Sequence, residues 1–246
     1  MQIYSHYIWE SGSEEKKNPV SLVLQQVSLK NHHYLLACVC DGRKSFEKKS
    51  VGRKMENGEI SDRDVSSACG SLVSGYFTER LVEWFHHHYL EILQKSRGED
   101  AVLKALSVEV GKIEKELQDY GRQKDVKVSY DVRGIFLYDS QCWIFGQGEC
   151  QGYRFNRRFN RRQRRKLPGG EGQHMEIVQG KVQRDIGIML CNAGFGELLT
   201  EEEMVQVMFG EHLTDRDINK RLRELWKEDV GRGNRDTAGA IYIEVE

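Results

Sequence analysis

Tyr34–Gly42, YLLACVCDG, is the stretch around which the rest of the chain is organised. Every residue from Tyr34 to Cys40 is apolar, so the run lacks the wet and dry alternation of a half-exposed strand. It reads as a strand buried on both faces. Asp41 and Gly42 end it, which puts a carboxylate at the mouth of a sheet, where it can meet a cation or solvent instead of being buried unpaired. Asp-Gly is also a common turn dipeptide, and that reading alone gives Asp41 no further role.

The chain has 246 residues, ample for a substantial core, and a formal net charge of −1 despite 30% charged residues. No window approaches the roughly 18 apolar residues of a membrane span, and no signal-peptide core is present, so a cytoplasmic protein is expected. Six cysteines (Cys38, Cys40, Cys69, Cys142, Cys150 and Cys191) form no CxxC pair, and Cys38 and Cys40 share one strand face. They read as packed, reduced thiols rather than a disulfide framework or zinc site. His86, His87 and His88 would point in three directions from a helix and make no metal face.

Outward from the central run, Met1–Glu10 and Val20–Val27 read as strands, the latter turning through Asn31–His33 to pair with Tyr34–Cys40. Arg43–Asp64 is polar and reads as a loop. Apolar residues at three- and four-residue steps predict helices over Ser66–Lys95 and Glu99–Tyr120, packed side by side on one sheet face. Val126–Gln141 and Cys142–Gly146 read as strands, with a hairpin over Val132–Phe145, and Gln151–Phe155 as a short one. Met175–Val182 and Ile186–Cys191 read as a strand pair. Thr200–Phe209, with a capping box at Thr200 and Glu203, and Thr214–Val230 read as helices, and Thr237–Glu246 as the last strand. Strands, two helices, strands, two helices, strand: this order predicts an α+β fold, an antiparallel β-sandwich flanked by helix pairs, over one domain spanning 1–246.

One segment is strongly biased. Arg154–Lys166, RFNRRFNRRQRRK, holds seven arginines and one lysine with no acid, which leaves the rest of the chain at −9 against −1 for the whole. It reads as a basic insertion or hairpin at 154–166. Arg157, Arg158, Arg161 and Arg162, with Phe155 and Phe159 interleaved, are candidate anion-binding residues. A solvated hairpin edge that discourages sheet-to-sheet association is the favoured reading, so nucleic acid is not the expected partner. Gly146, Gly148 and Gly152 have the wrong spacing, and no following helix, for a dinucleotide fingerprint.

The order of elements resembles the metal-dependent type-2C protein serine/threonine phosphatases (the PPM family) over nearly the whole chain. Four stretches carry the resemblance: CVCDG at Cys38–Gly42, GSLVSGYFTERLVEWF at Gly70–Phe85, LCNAGFGELLTEEEMV at Leu190–Val205 and GNRDTAGAIYIEV at Gly233–Val245. The resemblance implies a four-layer α-β-β-α sandwich and a pair of Mg²⁺ or Mn²⁺ ions activating a water against phosphoserine or phosphothreonine. It gives Asp41 as the acid bridging both ions, Gly42 as a carbonyl ligand and Asp236 as the acid of the last strand.

The chain departs from that pattern at several positions. Asn18, Pro19 and Val20 stand where the family has Asn-Glu-Asp or Asn-Gln-Asp, Ala193 stands where it has an acid before Gly194, and Gly146-Gln147-Gly148-Glu149 aligns with its Gly-Asp-Ser-Arg turn. Arg43, Lys44 and Ser45 follow the Asp-Gly, and Glu14 to Lys17 supply no arginine for gripping phosphate. Two cations bring four positive charges to two remaining acids, so at most one weakly bound ion is expected. Asn192 or Glu197 would be the compensating ligands, although strand alternation is expected to turn Asn192 away. The first expectation is a non-catalytic pseudophosphatase, a binding or regulatory module with a phosphoprotein or kinase-signalling partner. The alternatives are an active phosphatase with an altered metal set, and an anionic partner at Arg154–Lys166.

Overall fold

The computed structural model describes residues 2–11, 18–29, 32–47, 62–94, 99–156, 163–170, 172, 174–208 and 213–246. Two five-stranded antiparallel sheets stack face to face. The terminal sheet has the order β1 (Ile3–Glu10), β12 (Ala238–Val245), β11 (Ile186–Cys191), β8 (Gln151–Asn156), β9 (Gln163–Lys166). The hairpin sheet has the order β10 (Glu176–Lys181), β7 (Gln141–Gln147), β6 (Asp131–Tyr138), β3 (His32–Asp41), β2 (Val20–Leu29). A two-stranded ribbon joins β4 (Phe46–Glu47) to β5 (Val126–Lys127). The helices are α1 (Asp62–Gln94), α2 (Glu99–Lys124), α3 (Glu201–Met208) and α4 (Asp215–Gly231).

The opening stretch behaves as its composition requires. In β3, Leu35, Ala37 and Val39 point into the layer between the sheets, against Ile135, Ile188, Leu190 and Ile241. Tyr34, Leu36, Cys38 and Cys40 point the other way, under Phe77, Leu81 and Phe85 of α1 and Leu106 and Ile113 of α2. Outside the terminal sheet, Phe155, Met189 and Tyr242 pack beneath Met204 of α3 and Leu222 and Leu225 of α4. This is the four-layer α-β-β-α sandwich. All six cysteines are buried thiols outside any disulfide, and burial pushes the Cys38, Cys40 and Cys150 thiols well above their ordinary range. No described helix is long and apolar enough to cross a membrane.

Two expectations are corrected. Met175–Val182 and Ile186–Cys191 do not pair: β10 adds to β7 in one sheet, while β11 lies between β12 and β8 in the other. The link between them crosses from sheet to sheet through Asp185, at φ 61°. Val126–Gln141 is two strands rather than one, because β5 leaves to pair with β4 before β6 begins at Asp131. The basic segment does return as a strand, β9 pairing with β8. Its candidates Arg157, Arg158, Arg161 and Arg162 lie outside the described residues.

One backbone contact ties α1 to the end of β3. A Cβ built on Gly42 would lie 2.2 Å from the Gly70 carbonyl oxygen, and one on Gly70 would lie 2.6 Å from that of Gly42. The neighbours are backbone and cannot swing aside. Gly70→Ala is therefore expected to destabilise the protein by about 2–3 kcal/mol, the upper range for overpacking, read as a lowered urea midpoint at unchanged slope.

Candidate functional site

Strand register brings the candidate residues to one end of the sandwich. Asp41 closes β3 and pairs across to Val20 of β2 on one side and Asp131 of β6 on the other. Gln147 closes β7, Asn192 and Ala193 follow β11, and Asp236 precedes β12. They meet at or beside a cleft of about 570 Å³ that also takes in Gln151, Tyr153 and Phe195.

The floor of this cleft is a network of charge. Asp41 is only 4% exposed. Its carboxylate accepts hydrogen bonds from the Arg43 backbone N–H at 3.0 Å, from Arg43 Nε at 2.9 Å and from Arg43 Nη2 at 2.7 Å. Arg43 Nη1 reaches on to Asp236 Oδ2 at 3.3 Å, so one guanidinium spans both acids. Beside it, Lys44 Nζ lies 3.0 Å from Asp131 Oδ2 and 3.2 Å from Glu149 Oε1, so one ammonium spans a second pair. Burial pushes the Asp131 carboxyl above its ordinary value, with Lys44 pulling against it. For Lys44 the losses from burial are outweighed by Asp131 and Glu149, and its ammonium is held more firmly charged.

Asn192 completes the floor. Its Nδ2 donates to Asp41 Oδ2 and to the Thr237 carbonyl, both at 3.0 Å, and its Oδ1 accepts from the Gly239 N–H at 2.9 Å. The expectation that Asn192 turns away from the site is thus corrected. Ile188 and Leu190 face the layer between the sheets, and Asn192 keeps that alternation, so it meets Asp41, which is in phase with Val39 on β3. The Gly42 carbonyl accepts the Ser45 N–H at 2.8 Å and closes a tight turn.

The remaining sites differ in kind. Val20 is fully buried between the sheets, against Gly239. Pro19 is buried, and its carbonyl accepts the Gly42 N–H at 3.0 Å. Gln147 is turned inward, its Nε2 on the Tyr130 carbonyl at 3.2 Å. Ala193 lines the cleft, and so does Glu197. Among the described residues no cluster of three or more histidines, cysteines or acids has the spacing of a metal site.

Three acids escaped the sequence reading. Asp131 and Glu149 looked like a strand residue and a turn residue, and the available signal was the pair of basic residues directly after Asp41-Gly42. Asp229 of α4 is fully buried. It accepts the N–H groups of Gly196 at 3.1 Å and Leu198 at 2.9 Å, and the Asn234 side-chain amide. It thereby holds the loop after β11 and the turn before Asp236 in one arrangement. Nearby, Arg232 hydrogen-bonds Glu203 and holds that carboxyl down to about 2, clasping α3 to the end of α4.

Solved structures share the whole architecture. The serine/threonine phosphatase Stp1 from Staphylococcus aureus superposes with a TM-score of 0.72, at 11% identity, over 100% of this chain and 96% of its own. The serine/threonine phosphatase PstP of Mycobacterium tuberculosis gives 0.69 at 11% identity over 100% of both chains, and the catalytic domain of a serine/threonine protein phosphatase PstP in complex with two manganese ions gives 0.67 at 11% identity over 99% of this chain and 98% of its own. PppA, a regulatory component of the T6SS in Pseudomonas aeruginosa, gives 0.65 at 14% identity over 100% of this chain and 99% of its own. The chain therefore has the type-2C phosphatase fold. No family model matches its sequence, and no curated protein does.

Because Asp229 donates nothing and accepts several bonds, Asp229→Asn turns an amide against backbone donors. We expect a loss of about 2–3 kcal/mol in urea unfolding, with faster hydrogen exchange confined to residues 194–199 and 234–236.

Proposed function

We propose that this chain is a type-2C-fold protein that does not hydrolyse phosphate esters and acts as a binding or regulatory module in phospho-signalling. The observation that carries this reading is the Arg43 guanidinium lodged between Asp41 and Asp236. Hard divalent cations need oxygen lone pairs facing a common point. On Asp41 those lone pairs are engaged by Arg43 and by the Asn192 amide.

Electrostatics points the same way. A divalent ion about 4 Å from a guanidinium is repelled by on the order of 8 kcal/mol at an effective dielectric near 20. Lys44 would repel a second ion beside Asp131 in the same manner. The residues present thus do not fit a pair of metal ions. Ala193 offers only a methyl group to the cleft. A regulatory role has a precedent in the fold, since PppA is a regulatory component of its own system; in this chain the cleft over Arg43 and Lys44 is the surface proposed for recognition.

Calorimetry with Mn²⁺ tests the proposal. The wild-type protein is expected to bind no ion pair and to leave p-nitrophenyl phosphate and a phosphothreonine peptide intact. Arg43→Ala is expected to cost about 3 kcal/mol without metal, as one partner of a largely buried pair is lost. It should then regain part of that loss in Mn²⁺, because an ion can now bind the folded state. The reading is overturned if the wild type binds two Mn²⁺ ions at micromolar affinity and turns over substrate, with Asp41→Ala abolishing both.

A further inference from the structure

Four strands form the edges of the two sheets, and three of them are blunted. On β1, the outward N–H of Ser5 donates to Asp215 of α4 at 2.8 Å, and that of Tyr7 donates to His6 Nδ1 at 2.8 Å. The edge strand β9 carries Arg164, Arg165 and Lys166, and β10 carries Glu176 and Lys181. Charges and capped amides of this kind are how soluble sheets avoid adding strands.

β2 has neither. Its ten residues, VSLVLQQVSL, include no charge, no proline and no glycine. All ten pair with β3 on one side, and β2 ends the sheet on the other. Along this edge runs a groove of about 440 Å³. Its floor is residues 21–25, one wall is Thr78 and Val82 of α1, and the other is Tyr7 and Trp9 of β1. None of these side chains is charged, in a chain where 30% of residues are. Tyr7 and Trp9 are 50% and 52% exposed, which is costly apolar surface to leave in water.

We infer that the β2 edge binds an extended, uncharged segment of a partner protein, which adds to the hairpin sheet as a sixth strand. Backbone hydrogen bonds to β2 supply the pairing. Side chains on alternate positions meet Val82 and Thr78 on one face and the Tyr7 and Trp9 rings on the other. Trp9 Nε1 already donates to the Val20 carbonyl at 2.8 Å, which closes the edge at that end and sets the register to begin at Ser21. Helix α1 and strand β1 rise on opposite sides of the edge, which suits one strand better than a second helix-covered sheet. The neutral lining selects against charged segments, since a buried unpaired charge would lose its hydration.

The probe is a blocked hexapeptide of alternating valine and threonine, added to the full chain. Expected results are half-saturation below about 1 mM, slowed hydrogen exchange confined to the outward amides of 21–29, and a blue-shifted tryptophan emission. The same peptide N-methylated on alternate residues should lose binding at least tenfold. So should Tyr7→Lys and Val82→Lys, which place a charge on opposite walls, each checked by circular dichroism for an intact fold. The inference fails if no protection appears at millimolar peptide, if the N-methylated peptide binds equally, or if both folded variants bind as the wild type does. It fails also if sedimentation shows a dimer that Val82→Lys dissociates, because the occupant is then a second copy of the chain.

Discussion

A carboxylate at the end of a buried strand is stable only if something positive or hydrogen-donating faces it, and most of the site follows from how Asp41 meets that need. Three donors come from Arg43, two residues along the chain, and one from Asn192 across the sandwich. These donors face a carboxylate that is only 4% exposed. The same guanidinium reaches Asp236 and so joins the last strand to the third. Lys44 repeats the device one residue later, joining the start of β6 to the turn after β7.

The fold delivers this arrangement through close backbone contacts rather than through the charged groups themselves. Gly70 presses α1 against Gly42, and Pro19 accepts the Gly42 N–H, so the turn carrying Arg43 and Lys44 is fixed from two sides. On the other side of the cleft, Asp229 gathers the loop after β11 and the turn before β12. Arg43 then meets acids whose positions are already set. Such preorganisation matters, because a long side chain that had to order its own surroundings would lose much of the gain to entropy.

Much of the architecture was legible because burial on both faces leaves a mark in composition. Tyr34–Cys40 had to be central, and the helical stripes of α1 and α2 had to cover it. Pairing partners were less legible: β10 and β11 are adjacent in sequence and equally apolar in pattern, and nothing local says that the chain changes sheets between them. Asp131 was hidden by its neighbours, which alternate as a strand does across the break between β5 and β6. Asn192 was misplaced because the site was set on the face of Ala193, whereas alternation from Leu190 puts Asn192 on the face that Asp41 shares. The doublet Arg43-Lys44 was visible as charge that would repel ions. That each cation would be held between two acids depends on register, Asp41 opposite Asp131, which no single stretch contains.

A tethered cation differs from a bound ion in one respect that shapes everything the site can do. Ion occupancy follows concentration, so a metal centre built from few acids empties as free metal falls. Arg43 is two residues from Asp41, and its effective concentration at the carboxylate is set by that short connection. It cannot leave, carries one charge rather than two, and offers no open coordination position to a water. On the proposed reading, the network trades the polarising power of a divalent ion for permanence. A surface of fixed shape and fixed charge is suited to recognition, and the neutral edge strand β2 lies on a separate surface, where binding would leave this network undisturbed.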